Sequence, residues 1–155
     1  MGVEDIYAAA AARVEPGAGY AGDVTVAEAW RLLNDDPDAV LVDVRTQAEW
    51  MFVGIPDLGA AGKEPVLVQW QVFPAMSENP SFADELAAKG ATPGKAVLFI
   101  CRTVNRSPQA ARAMTARGCP RCYVVSGGFE GPPDGDKHRD TRDGWKAAGL
   151  PWVQG

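Results

Sequence analysis

Short apolar runs alternate along this chain with stretches whose apolar positions recur at the helical period. Val40-Leu41-Val42-Asp43-Val44, Val66-Leu67-Val68-Gln69-Trp70, Val97-Leu98-Phe99-Ile100-Cys101 and Tyr123-Val124-Val125-Ser126 are too short and too β-branched for helices and read as strands. Between them stand helix-start signals. Thr25-Val26-Ala27-Glu28 opens a helix through Leu33 as a capping box, and Thr46-Gln47-Ala48-Glu49 opens another. Asn79-Pro80-Ser81 caps a helix ending at Gly90, and Ser107-Pro108 reads as an N-cap followed by proline at the first helical position, with Gly118 as the stop. Strands alternating with helices predict an α/β fold: a central, mostly parallel sheet with helices on both faces. Residues 1–20, an alanine-rich helical stretch followed by Pro16-Gly17-Ala18-Gly19, are expected to form an N-terminal extension outside the core of a domain spanning 21–155.

The pattern delivers one cysteine to a special place. Cys101 ends a strand and faces the N-terminus of the helix begun at Ser107, where unpaired N–H groups and the helix dipole favour an anion. A thiolate is such an anion, and Arg102 and Arg106 nearby favour it further, so Cys101 reads as a nucleophile. The plain alternative is a core cysteine closing a strand, since free cysteine is among the most buried residue types. The two arginines argue against it, because arginine is almost never buried unpaired and here implies an anionic or carboxylate partner in the turn.

At these residues the chain resembles the rhodanese family of sulfurtransferases. The family loop has a cysteine, four residues, an arginine and usually a serine, here Cys101, Arg102-Thr103-Val104-Asn105, Arg106 and Ser107. Val40 to Trp50 is similar to the family's strand ending in Asp-Val-Arg with its following helix, Tyr123 to Gly131 to its last strand and Gly-Gly turn, and Gly144-Trp145 with Gly149-Leu150-Pro151-Trp152 to its common ending. Together these motifs cover roughly Gly22 to Trp152.

The resemblance implies a rhodanese-like fold and two-step sulfur transfer. Cys101 would be the nucleophile that carries a persulfide, and Arg102, Thr103, Val104, Asn105, Arg106 and Ser107 would form the substrate-binding loop. A small anionic sulfur donor such as thiosulfate and a thiol or cyanide acceptor would be the partners, with neither metal nor cofactor needed. Loop N–H groups would hold negative charge as an anion nest, and the arginines would bind the donor or fix the loop. Two features depart from the family pattern. Val104 stands where glycine is most common, so the left-handed curvature is expected one residue along, at Asn105. Val53-Gly54-Ile55-Pro56 lacks the histidine of the usual Gly-His-Ile-Pro, so no base is expected there. Two other functions are considered: a noncatalytic binding module using the same pocket, and a cysteine-dependent phosphatase, which the shorter cysteine-to-arginine spacing disfavours.

Composition narrows the setting. The chain has 155 residues, enough for one core, and a net charge of −5, which argues against a nucleic-acid-binding stripe. Arg102, Arg106, Arg112 and Arg117 would then steer a small anion to one place. No apolar run is long enough to span a membrane, and Met1-Gly2-Val3-Glu4-Asp5 is not a secretory signal, so a cytoplasmic setting is expected. Cys119-Pro120-Arg121-Cys122 lacks the second pair of a zinc site and sits after a helix instead of opening one, so these two cysteines are read as structural. His138 falls in a polar loop. The five tryptophans are dispersed and read as packing residues. Phe129 and Trp70 are candidate pocket walls. Glu49 is expected to cap its helix or pair with Arg45, and Asp43 to satisfy turn donors or orient an arginine.

Overall fold

The computed structural model describes residues 2–154. In chain order the elements are α1 (Val3–Ala12), β1 (Gly22–Val24), α2 (Val26–Asp35), β2 (Val40–Asp43), α3 (Gln47–Val53), β3 (Ile55–Pro56), β4 (Val66–Leu67), β5 (Gln71–Val72), β6 (Ser77–Glu78), α4 (Phe82–Ala88), β7 (Val97–Ile100), α5 (Arg106–Ala116), β8 (Cys122–Val125) and β9 (Trp152–Val153). Strands β1, β8, β7, β2 and β4 form a five-stranded sheet in that order, every pairing parallel. The expected α/β architecture is therefore present. No helix among the described residues is long and apolar enough to cross a membrane.

Both faces of the sheet are covered, and the period of two along a strand decides which side chain goes where. Leu98 and Ile100 of β7 pack on the face covered by Ile6, Tyr7 and Ala10 of α1 and Ala29, Leu32 and Leu33 of α2. Val97, Phe99 and Cys101 point to the other, toward Phe82 and Leu86 of α4 and Ala110, Ala111 and Met114 of α5. Cys101 thus leaves the sheet on the α5 side. The N-terminal stretch departs from expectation: α1 is part of the core, with Ala10 fully buried. A Cβ at Gly22 would collide with the Ala10 backbone, so glycine is what lets α1 lie directly on β1.

The capping boxes form as the sequence predicts, Thr25 with Glu28 and Thr46 with Glu49. The strand expected over Val66–Trp70 is shorter, with only Val66 and Leu67 paired in register. Beyond them isolated bonds from Val68 N–H to Asp43 O (3.2 Å) and Trp70 N–H to Val44 O (3.1 Å) carry the chain outward into the β5–β6 hairpin. The helix expected after Asn79-Pro80-Ser81 begins at Phe82, with Asn79 Oδ1 accepting from Ser81 N–H.

Topology places a crevice at the carboxyl ends of β2 and β7. From β2 the chain turns outward through α3 toward β4, and from β7 it turns the other way through α5 to β8. In a parallel sheet this reversal opens a gap between two neighbouring strand ends, which is where such folds bind ligands. Asp43 and Ile100 are register partners, so β2 and β7 end level with each other at that gap.

Candidate functional site

Three structures converge on the crevice. The segment after β7 contributes Cys101 and its loop, the segment after β2 contributes Thr46, Ala48 and Glu49, and the β5–β6 hairpin contributes Gln71, Phe73 and Met76. They enclose a cavity of about 590 Å³, to whose lining Arg102, Thr103, Asn105, Arg106 and Gln109 also belong. Cys101 is 1% exposed and forms part of its floor.

The sulfur has one hydrogen-bond partner among the described residues, Ser107 Oγ at 3.2 Å, with either atom able to donate. Ser107 lies inside α5 and is buried. It was expected as the N-cap, but the helix begins at Arg106, and the serine hydroxyl faces the sulfur instead of a backbone N–H. Pro108 still falls in the first turn, where a missing N–H costs nothing. Asn105 takes the cap position in right-handed geometry (φ −84°, ψ −52°), so the positive φ expected there is absent. Starting the helix at Arg106 closes the loop without a left-handed residue, and Val104 likewise keeps an ordinary backbone. No hydrogen bond joins an N–H of residues 102–106 to the sulfur.

The close approach comes from the other side. Gly127 (φ 90°) and Gly128 (φ 71°) form the turn after β8, and a Cβ on Gly128 would collide with the carbonyl oxygens of Arg102 and Thr103. From this turn Phe129 N–H donates to Cys101 O at 2.8 Å, and Glu130 and Gly131 N–H donate to Arg102 O at 3.1 and 3.0 Å. The loop carrying the cysteine is pinned through its carbonyls.

The two loop arginines separate in role. Arg106 is clamped by Glu49, with Nη1–Oε1 at 2.6 Å and Nη2–Oε2 at 3.0 Å, a two-point ion pair between the Cys101 loop and α3. Burial pushes the Glu49 carboxyl up, but the Arg106 guanidinium outweighs it and holds the group below its ordinary value. Burial lowers Arg106 in turn and Glu49 more than reverses this. Arg106 therefore braces the Cys101 loop against α3 while it also lines the cavity. Arg102 is exposed on the cavity lining, and among the described residues its guanidinium makes no salt bridge or side-chain hydrogen bond. Arg112 is remote from this charge, held by Ala18 O and stacked over Tyr20, and Arg117 lines a separate cavity.

Glu49 does not pair with Arg45. Arg45 is wholly buried and bound to Asp43, with Nη2–Oδ2 at 2.7 Å, to Gly54 O at 2.7 Å, and against the Phe129 ring at 4.2 Å. Asp43 also accepts from Arg45 N–H, so it fills both roles expected of it. Phe129 packs beneath this pair and does not line the cavity, and neither does Trp70, whose Nε1–H donates to Gln109. The residues that do line it from the hairpin, Gln71, Phe73 and Met76, carried no sequence signal beyond a break in the strand pattern at Trp70. Val104 is 50% exposed and lies outside the lining. Cys119 and Cys122 are buried, and burial raises both thiols, Cys122 to about 11.

A parallel five-stranded sheet carrying a cysteine loop at its switch point, between a strand and a helix N-terminus, defines a rhodanese-like domain. The chain belongs to the family described as the STR4 middle domain, whose model matches residues 21–155. It is 36% identical over 126 residues to the uncharacterized protein RC0915 of Rickettsia conorii, covering 81% of this chain and 91% of that protein. It is 27% identical over 127 residues to the chloroplastic rhodanese-like domain-containing protein 4 of Arabidopsis thaliana, covering 81% of this chain and 24% of that one. The crystal structure of Rv0390 from M. tuberculosis superposes with a TM-score of 0.81 at 47% identity, covering 88% of this chain and 99% of the other.

Proposed function

We propose that the protein is a sulfurtransferase that carries sulfane sulfur as a persulfide on Cys101, taken from a thiosulfate-like donor and passed to a thiol or to cyanide. The observation that carries the reading is the position of the Cys101 sulfur, in the floor of a cavity and 3.2 Å from a hydroxyl in the first turn of an 11-residue helix. As a thiolate the sulfur can only accept, so Ser107 then donates to it, and the helix N-terminus adds its dipole. The thiolate attacks the outer sulfur of thiosulfate. A new S–S bond forms as the donor's S–S bond breaks, and the electron pair leaves with sulfite. Cyanide or a thiolate then takes the outer sulfur and restores the Cys101 thiolate. Arg102 is the cation available to the donor's sulfonate, while Arg106 and Glu49 hold the loop. Thr103 and Asn105 bound the donor's space, and Val104 shapes the loop from outside.

The test is thiocyanate formation from thiosulfate and cyanide. Wild type is expected to turn over and Cys101→Ser to be inactive with its fold retained, because serine is nearly isosteric and forms no persulfide. Full activity in Cys101→Ser would overturn the assignment. A second reading, a noncatalytic binding module, is favoured by the near-complete burial of Cys101 and by the lack of loop N–H bonds to its sulfur. It predicts no thiocyanate from either protein.

A further inference from the structure

Cys119 and Cys122 take no part in the chemistry at the crevice. They lie toward the opposite end of the sheet: Cys122 opens β8 as the register partner of Val97, the first residue of β7, whereas Cys101 follows Ile100, the last. The turn between the two cysteines is pinned at both ends. Cys119 N–H donates to Met114 O at 3.1 Å as α5 closes, Val97 N–H donates to Arg121 O at 2.9 Å, and Ala21 N–H donates to Cys122 O at 2.8 Å. Pro120 restricts the turn further through its ring.

Within this turn the two side chains converge. Both enter one apolar cluster and line the same gap of about 150 Å³, beside Leu86, Val97, Phe99 and Met114, with no room for a water molecule. The Cys122 thiol donates to Cys119 O at 3.2 Å, which folds its sulfur back over the residue that carries the other. The Cys119 sulfur has no hydrogen bond among the described residues. Cys122 is wholly buried, while Cys119 is 7% exposed and presents an edge to the surface. Burial disfavours a thiolate at either position, more strongly at Cys122. A disulfide carries no charge and no polar hydrogen, so it suits these surroundings better than either thiolate does.

We propose that Cys119 and Cys122 form a modification site, a dithiol that a small peroxide closes to a disulfide joining the segment after α5 to the first residue of β8. Cys119 reacts first, because it has the exposed edge. Its thiolate bonds to one oxygen of hydrogen peroxide, the O–O bond breaks, and the hydroxide released takes up the first thiol's proton as water, leaving Cys119–S–OH. The Cys122 thiolate then bonds to that sulfur, the S–O bond breaks, and the departing hydroxide takes up the second thiol's proton. The two thiols lose two electrons and the peroxide gains them. The oxidant must be small, since only an edge of Cys119 can be reached.

Tryptic mapping tests this, because cleavage after lysine and arginine puts Cys101, Cys119 and Cys122 in three peptides, 96–102, 118–121 and 122–137. The folded full chain is treated with hydrogen peroxide, quenched in acid, unfolded with N-ethylmaleimide and mapped. No sulfur donor is present, so the outcome is independent of the sulfur-transfer reading. Peptide 118–121 joined to 122–137 is expected as the major form of both, lost on treatment with dithiothreitol and retained in Cys101→Ser. Recovery of the two peptides separately from oxidised wild type, each with its own blocked or over-oxidised cysteine, would overturn the proposal. So would peptide 96–102 joined to either of them as often as they are joined to each other.

Discussion

Cys101 and Ser107 share a hydrogen bond whose direction depends on the state of the sulfur. While the cysteine is a thiol either group can donate, and once it is an anion only the hydroxyl can. Ser107→Ala is therefore expected to slow sulfur loading from thiosulfate by about 10- to 150-fold, the worth of one hydrogen bond to a charged group, with little change in stability because alanine suits the helix. Unchanged loading kinetics in that variant would show that the hydroxyl only fills space. The motif Cys101 to Ser107 was legible because it is contiguous in sequence. Its partners were not. Glu49 lies 57 residues from Arg106, while Arg45 is only one turn away, so local spacing suggested the nearer arginine. Burial decided otherwise: Arg45 already has Asp43, and Arg106 would have been left in a half-buried loop without a counter-charge.

At the scale of elements, the Arg106–Glu49 pair ties the first residue of α5 to α3 across the crevice, and it makes the stability of this junction depend on acid. Glu49 is held below its ordinary value in the folded protein. Its contribution is thus fully present above the unfolded-state value, near 4.5, and is lost as pH falls through the lower folded value. Denaturant unfolding at pH 7 and at pH 3.5 should show wild type losing more than Glu49→Gln, by up to about 1.4 kcal/mol, because pH 3.5 lies about one unit below the unfolded value. Parallel losses in the two proteins would remove the pair from the account. The helices themselves were readable where capping boxes announced them, at Thr25 and Thr46. The start of α5 was displaced because the Ser107 hydroxyl, chemically suited to a cap, found the Cys101 sulfur instead. The β5–β6 hairpin, which follows the strand-like run ending at Trp70, was not legible, since two-residue strands leave no period to detect.

For the whole molecule, apolar runs and helix signals were enough to indicate a parallel sheet covered on both faces, because period and length act locally. The strand order was not in the pattern. It is the reversal between β2 and β7 that brings α3, the Cys101 loop and the hairpin to one cavity. The alanine-rich N-terminal helix was expected outside the core because Pro16-Gly17-Ala18-Gly19 separates it from the rest of the chain. It packs there because Gly22 admits its backbone against β1 and Tyr7 reaches Asp36 of the α2 C-terminus, with the hydroxyl donating at 2.6 Å. The proposed function then rests on one sulfur lining the crevice. The most direct measurement is intact mass followed by peptide mapping after incubation with thiosulfate. The account predicts one added sulfur, located on the peptide containing Cys101 and removed by cyanide. An unmodified Cys101, or sulfur found on Cys119 or Cys122 instead, would contradict it.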